Sequence, residues 1–61
     1  MADIKFSANV THSDGRTSNC RSFTSEADMD AWATEQLTND PGAVVMVWKA
    51  YSSEVYRIYQ A

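Results

Sequence analysis

His12, Ser13 and Asp14 stand side by side, and His12 is the only histidine. An imidazole beside a hydroxyl and a carboxylate is raw material for acid–base or nucleophilic catalysis. Such work needs a cleft that perturbs a pKa. Here the run leads straight into Asp14-Gly15, a strong turn signal. The spacing therefore predicts a solvated hairpin tip. Cys20 is the sole cysteine. It would need a neighbouring base to act as a thiolate, and the strand parity derived below turns it toward the core, where free cysteine is common. One Cys and one His do not make a zinc set. Asp28, Asp30, Glu35 and Asp40 could suggest a cation site, but Asp28 and Asp30 fall on a predicted helix, where neighbours two apart diverge. Gly15 and Gly42 are isolated, so no glycine loop cradles phosphate. Trp32 and Trp48 could stack on a ligand, but their helix and strand positions predict core packing. The chain is read as no enzyme, with no metal and no cofactor.

The elements that position these residues follow from periodicity. Ile4, Phe6, Ala8 and Val10 alternate with Lys5, Ser7, Asn9 and Thr11, the pattern of a half-buried strand over 3–12. A second strand is expected over 16–23. A three-residue loop, Ser13-Asp14-Gly15, puts Gly in the left-handed position such loops favour. It pairs His12 with Arg16 and Ala8 with Cys20, which places Cys20 on the core face. Ser25, or alternatively Thr24, caps a helix over 25–38, with Glu26 and Asp28 complementing its positive end. Met29, Trp32, Ala33 and Leu37 form its apolar stripe, and Asn39-Asp40-Pro41-Gly42 stops it.

Residues 43–51 and 55–60 read as two more strands. Their relative register has two solutions. One places Met46, Trp48, Ala50, Tyr56 and Ile58 on one face and Lys49, Tyr51, Arg57 and Tyr59 on the other. A slip of one residue reverses every side chain. The first solution keeps the cations out of the core and is adopted. The expected core is Phe6, Val10, Met29, Trp32, Ala33, Leu37, Trp48 and Ile58.

These elements give an α+β fold, β-β-α-β-β, one helix on one face of a four-stranded, mainly antiparallel sheet. The polar second strand suits an edge, and Val44–Trp48, apolar on both faces, suits the middle. A right-handed crossover gives order 2-1-3-4; the rival is 2-1-4-3. A chain of 61 residues is expected to form a single domain over 1–61 with a thin core. It begins with Met1 and reads as a complete small protein without a secretory signal. The longest apolar run, Ala43–Trp48, is far short of the roughly 20 residues of a membrane span. One cysteine and no signal point to the cytoplasm.

Charge supplies the functional expectation. Glu26, Asp28, Asp30, Glu35 and Asp40 share the middle of the chain with no Lys or Arg, and Lys5, Arg16, Arg21, Lys49 and Arg57 all lie outside it. That segregation predicts an acidic helix side and a basic open sheet face. The open face is expected to gather Lys5, Ser7, Asn9, Thr17, Asn19, Arg21, Val45, Val47, Lys49, Tyr51, Arg57 and Tyr59. The binding set within it is Lys5, Arg21, Val45, Val47, Lys49, Tyr51, Arg57 and Tyr59; the acidic face of Asp28, Asp30 and Glu35 is the alternative. The expected role is a protein-binding module or inhibitor that occludes a larger protein. Bacteriophage or mobile-element proteins directed against a host enzyme often have this size. Single-stranded nucleic-acid binding by the same face is the alternative, disfavoured by a net charge of -3. A homodimer through sheet edges or faces is compatible with either.

Overall fold

The computed structural model describes residues 3–18 and 20–60. The alternation at the start of the chain becomes strand β1, Phe6–Thr11, which buries Phe6, Ala8 and Val10 and leaves Ser7, Asn9 and Thr11 half-exposed. It is followed by β2 (Arg21–Phe23), helix α1 (Glu26–Asn39), β3 (Val44–Lys49) and β4 (Val55–Gln60). The strands form one antiparallel sheet in the order β2-β1-β3-β4. This is the α+β fold and the strand order expected from polarity. No helix among the described residues is long and apolar enough to cross a membrane.

The first hairpin closes through the expected three-residue loop. His12 N donates to Arg16 O at 2.7 Å, and Gly15 N donates to His12 O at 2.9 Å. Gly15 has φ +94, a backbone state that a Cβ would strain. Thr11 bridges Thr17, and Ser18 N donates to Val10 O at 2.9 Å. Beyond that point the pairing shifts, because Ala8 faces Arg21 rather than Cys20. One extra residue therefore lies on the second segment between Ser18 and Arg21. The shift corrects the expectation for Cys20, which is exposed. It also shortens the second strand. Asn19, expected on the open face, lies outside the described residues.

Helix α1 begins where Ser25 can cap it. Ser25 is extended at φ -140 and its hydroxyl accepts from Asp28 N at 3.2 Å, satisfying one of the amides a helix start leaves without a partner. Asp40 ends the helix and ties it to the first hairpin. Its carboxylate accepts from Ser13 N at 3.0 Å and Gly42 N at 3.3 Å, and lies 3.3 Å from His12 Nδ1. His12 is thus half-buried against the helix end, not at a solvated tip. The approach is close enough that a Cβ on Gly42 would lie 2.7 Å from Ser13 Cβ.

The core sits between α1 and the sheet and consists of Phe6, Ala8, Val10, Phe23, Met29, Ala33, Ala43, Val45 and Val47, with Trp32, Leu37 and Tyr59 packed against it. Trp48 and Ile58, expected inside, are not in it. The grouping of Met46 with Ile58, and of Arg57 with Tyr59, holds; the faces are reversed. Pairing with β1 decides this. Val10 faces Val45 and Ala8 faces Val47, and directly opposed residues share a face. Val45 and Val47 are accordingly 0% exposed.

A cation on the helix side of β4 would be buried only if that side were dry. Because β4 is an edge strand, its helix-side residues reach the rim instead of the interior. There Arg57 lies 3.2 Å from Glu26 and 3.9 Å from Asp30, and remains 42% exposed. A bulge assists. The register slips between Val47 and Trp48, so Val47 faces Arg57 while Trp48 faces Val55. Tyr56 is the extra residue, and it joins Arg57 on the helix side. Its ring lies 5.1 Å from that of Phe6. Trp32 packs at 5.4 Å on Phe23, on the opposite side of the sheet from Trp48.

Candidate protein-binding face

The face of the sheet away from α1 is built from three cross-strand rows. Ser7 lies beside Trp48, which lies beside Val55; Asn9 beside Met46, beside Ile58; Thr11 beside Val44, beside Gln60. None of these side chains is charged. The β1 positions are small and polar, while β3 and β4 present an apolar strip of Val44, Met46, Trp48, Val55 and Ile58. No second layer of the described residues covers the strip. Val55 is 45% exposed and Ile58 49% exposed; Val44, Met46 and Trp48 are half-buried by neighbours in the sheet. At the Trp48 end a shallow hollow of about 490 Å³ is bordered by Ser7, Cys20, Trp48, Tyr51 and Ser52, with Lys49 as its one charged residue. Tyr51 stands in the β3–β4 turn at φ 61 and is 96% exposed. That conformation costs a residue with a Cβ on the order of 1–2 kcal/mol.

The helix side holds the charge. Tyr59 Oη donates to Asp30 Oδ1 at 2.6 Å, and Arg57 donates to Tyr59 Oη at 3.0 Å and to Glu26 at 3.2 Å. The Tyr56 hydroxyl donates to the Glu26 carboxylate, 3.2 Å from either oxygen. Burial raises the Tyr59 pKa above its ordinary value, and the bond to Asp30 adds to it. The hydrogen bond to Tyr59 raises the Arg57 pKa. Lys49 Nζ lies 5.5 Å from the Tyr56 ring, and the Arg21 guanidinium 5.6 Å from the Phe23 ring. Arg21, Asp28, Trp32 and Glu35 border a second, more polar hollow of about 480 Å³ between α1 and the β2 edge. Arg57, Glu26 and Asp30, segregated along the chain, therefore meet on the helix side of the fold.

The residues expected to bind disperse accordingly. Val45 and Val47 are core; Arg21, Lys49, Arg57 and Tyr59 lie on the helix side; Lys5 is exposed just before β1. Tyr51 remains beside the open face. On the alternative acidic face, Asp28, Asp30 and Glu35 are exposed, with Asp30 engaged by Tyr59. The residues that sequence reasoning missed are Val44, Met46, Trp48, Val55 and Ile58. For Val44, Met46 and Trp48 the signal was a strand apolar on both faces. No group of three or more metal-ligating side chains occurs among the described residues. No family model, curated protein or solved structure matches the chain.

Proposed function

We propose that this protein is a non-catalytic binding module that docks its open sheet face on a larger protein and acts by occlusion. The observation that carries the proposal is the uncharged strip of Val44, Met46, Trp48, Val55 and Ile58, with Val55 and Ile58 exposed and the other three half-buried. Contiguous apolar surface of this kind marks interaction sites. Interface centres are depleted in charge and enriched in aromatics and Met. Trp48 at the mouth of the hollow is the natural anchor, since buried Trp dominates binding energy in many interfaces. Tyr51 supports the same reading. A bulky residue held in a strained conformation and almost wholly exposed gains nothing for the fold, and such strain clusters at working sites.

The nucleic-acid alternative keeps only Lys49 beside the open-face aromatics Trp48 and Tyr51. Phosphate tracking requires cations beside the stacking aromatics. Arg57 and Tyr59 are instead engaged by Glu26 and Asp30 across the sheet from the open face.

Affinity for a partner isolated on the immobilised protein tests the proposal. Trp48→Ala or Met46→Lys should weaken binding by about 30-fold or more, the scale of a hot-spot loss, with Asp30→Lys and Glu35→Lys binding as wild type. Loss of binding in the helix variants, with open-face variants unaffected, would move the site to the acidic face.

A further inference from the structure

The apolar strip is not centred on the sheet. On β1 the open face carries Ser7, Asn9 and Thr11; the apolar side chains begin on β3 and run through Val55 and Ile58 to the outer edge of β4. A binding surface normally has its apolar part in the middle and a polar rim around it. Here one rim is missing, and it is missing where the sheet stops.

The two edges of the sheet are also unlike. At one, β2 is only Arg21–Phe23 and its pairing is interrupted by a register shift, devices that blunt an edge. At the other, β4 runs Val-Tyr-Arg-Ile-Tyr-Gln, with no Pro or Gly and one charge; its bulge is confined to Tyr56 and leaves Arg57–Gln60 in regular register. Its outward main-chain groups have no partner strand, since the sheet ends at β4.

We infer that β4 pairs with β4 of a second copy of this chain, antiparallel about a twofold axis at Ile58, to give a continuous eight-stranded sheet. The register follows from charge. Centring on Arg57 would oppose two guanidinium groups, and like charges directly opposite destabilise a sheet. Centring on Ile58 places Ile58 against its own copy on the open face and Arg57 against the partner's Tyr59 on the helix side. That tyrosine already holds Asp30 of its own chain at 2.6 Å, so each guanidinium meets an aromatic ring and a carboxylate. The two apolar strips then join into one, with polar β1 and β2 residues as rims on both sides. Both helices lie on the same face of the extended sheet, and their charges stay off the shared strip. The pairing uses the main-chain edge and Ile58; partner docking is anchored at Trp48 on β3. The two readings are therefore tested separately.

Sedimentation equilibrium of the full chain, from micromolar to submillimolar concentration, should give the dimer mass. Ile58→Lys opposes two ammonium groups on the axis and should give a monomer throughout, with a native circular dichroism spectrum. In a Cys20→Ser background, Ile58→Cys should oxidise to a covalent dimer, because opposed residues have Cα atoms within disulfide reach. Gln60→Cys should not, because its opposite position falls at the Tyr56 bulge of the other copy. Trp48→Ala should weaken partner binding by about 30-fold or more and keep the dimer. The inference is overturned by a monomer across the whole range, by an Ile58→Lys protein that still dimerises, or by cross-linking through Gln60→Cys and not Ile58→Cys. Each of these results leaves the Trp48 test of partner docking untouched.

Discussion

Val47 and Met46 are neighbours in β3 that point to opposite sides of the sheet, and truncating each in turn tests the whole assignment of faces. Val47 is 0% exposed between Ala8 and the helix. Val47→Ala removes two methyl groups, at about 0.8 kcal/mol of transfer free energy each. The cavity they leave adds to this, for a total of about 2–3 kcal/mol. A small domain is stable by only about 0.05–0.15 kcal/mol per residue, so that loss is a large share of the whole. At about 4–8 °C per kcal/mol, melting should fall by about 8–24 °C. Met46 is larger, but it lies half-buried on the uncovered face. Met46→Ala leaves no enclosed cavity and should cost less than about 1 kcal/mol. Urea unfolding of both variants measures this, with the midpoint shifting at constant slope. If Met46→Ala lost about 2–5 kcal/mol, as for a core methionine, while Val47→Ala unfolded like wild type, β3 would face the other way. The open strip would then not exist.

Other consequences concern single groups. Asp40 is held below its ordinary pKa of 3.8, first by the Ser13 amide and then by the Ser13 and His12 side chains. Its contribution is present in full above the unfolded value and is lost as pH falls below 3.8 through the lower folded value. Acid unfolding of Asp40→Asn should therefore show a smaller loss of stability over that window than wild type, and equal losses would refute the clamp. Cys20 is exposed, so native protein should react with a thiol reagent without denaturant; a thiol silent until unfolding would return it to the core. Tyr51→Gly should stabilise the fold by about 1 kcal/mol by relieving positive φ and weaken partner binding. A destabilised variant would show that the turn depends on the tyrosine. Ser25→Ala should cost about 1 kcal/mol through the lost helix cap, read by thermal melting.

What was legible in the chain was local. Alternation from Phe6 to Val10, the Asp14-Gly15 turn, the Ser25 cap and the stop at Pro41 each need only a few neighbouring residues to be read, and each stands in the structure. Strand order followed from one polar and one doubly apolar strand. The face of β3 was not legible, because Val44–Trp48 carries apolar side chains at both parities and gives no alternation to read. The tie was broken by a desolvation argument about Arg57, sound for a covered strand and wrong for an edge. Its partners, Glu26 and Asp30, are about thirty residues away, beyond any local pattern. The candidate site was lost with that choice, since β3 and the Arg57–Tyr59 part of β4 changed sides together. Cys20 was misplaced by the register shift beyond Ser18, which breaks the parity counted from the turn.

The central claim is that the open face is covered when a partner binds, and a thiol footprint tests it most directly. In a Cys20→Ser background, Met46→Cys places one thiol in the middle of the strip, and Ala31→Cys places one on the exposed surface of α1. Labelling rates are compared for the free protein and for the purified complex with its partner. The account predicts that partner binding slows labelling at position 46 by about tenfold or more, corresponding to about 1.4 kcal/mol of protection, and leaves position 31 unchanged. Protection at position 31 with free access at position 46 would contradict it.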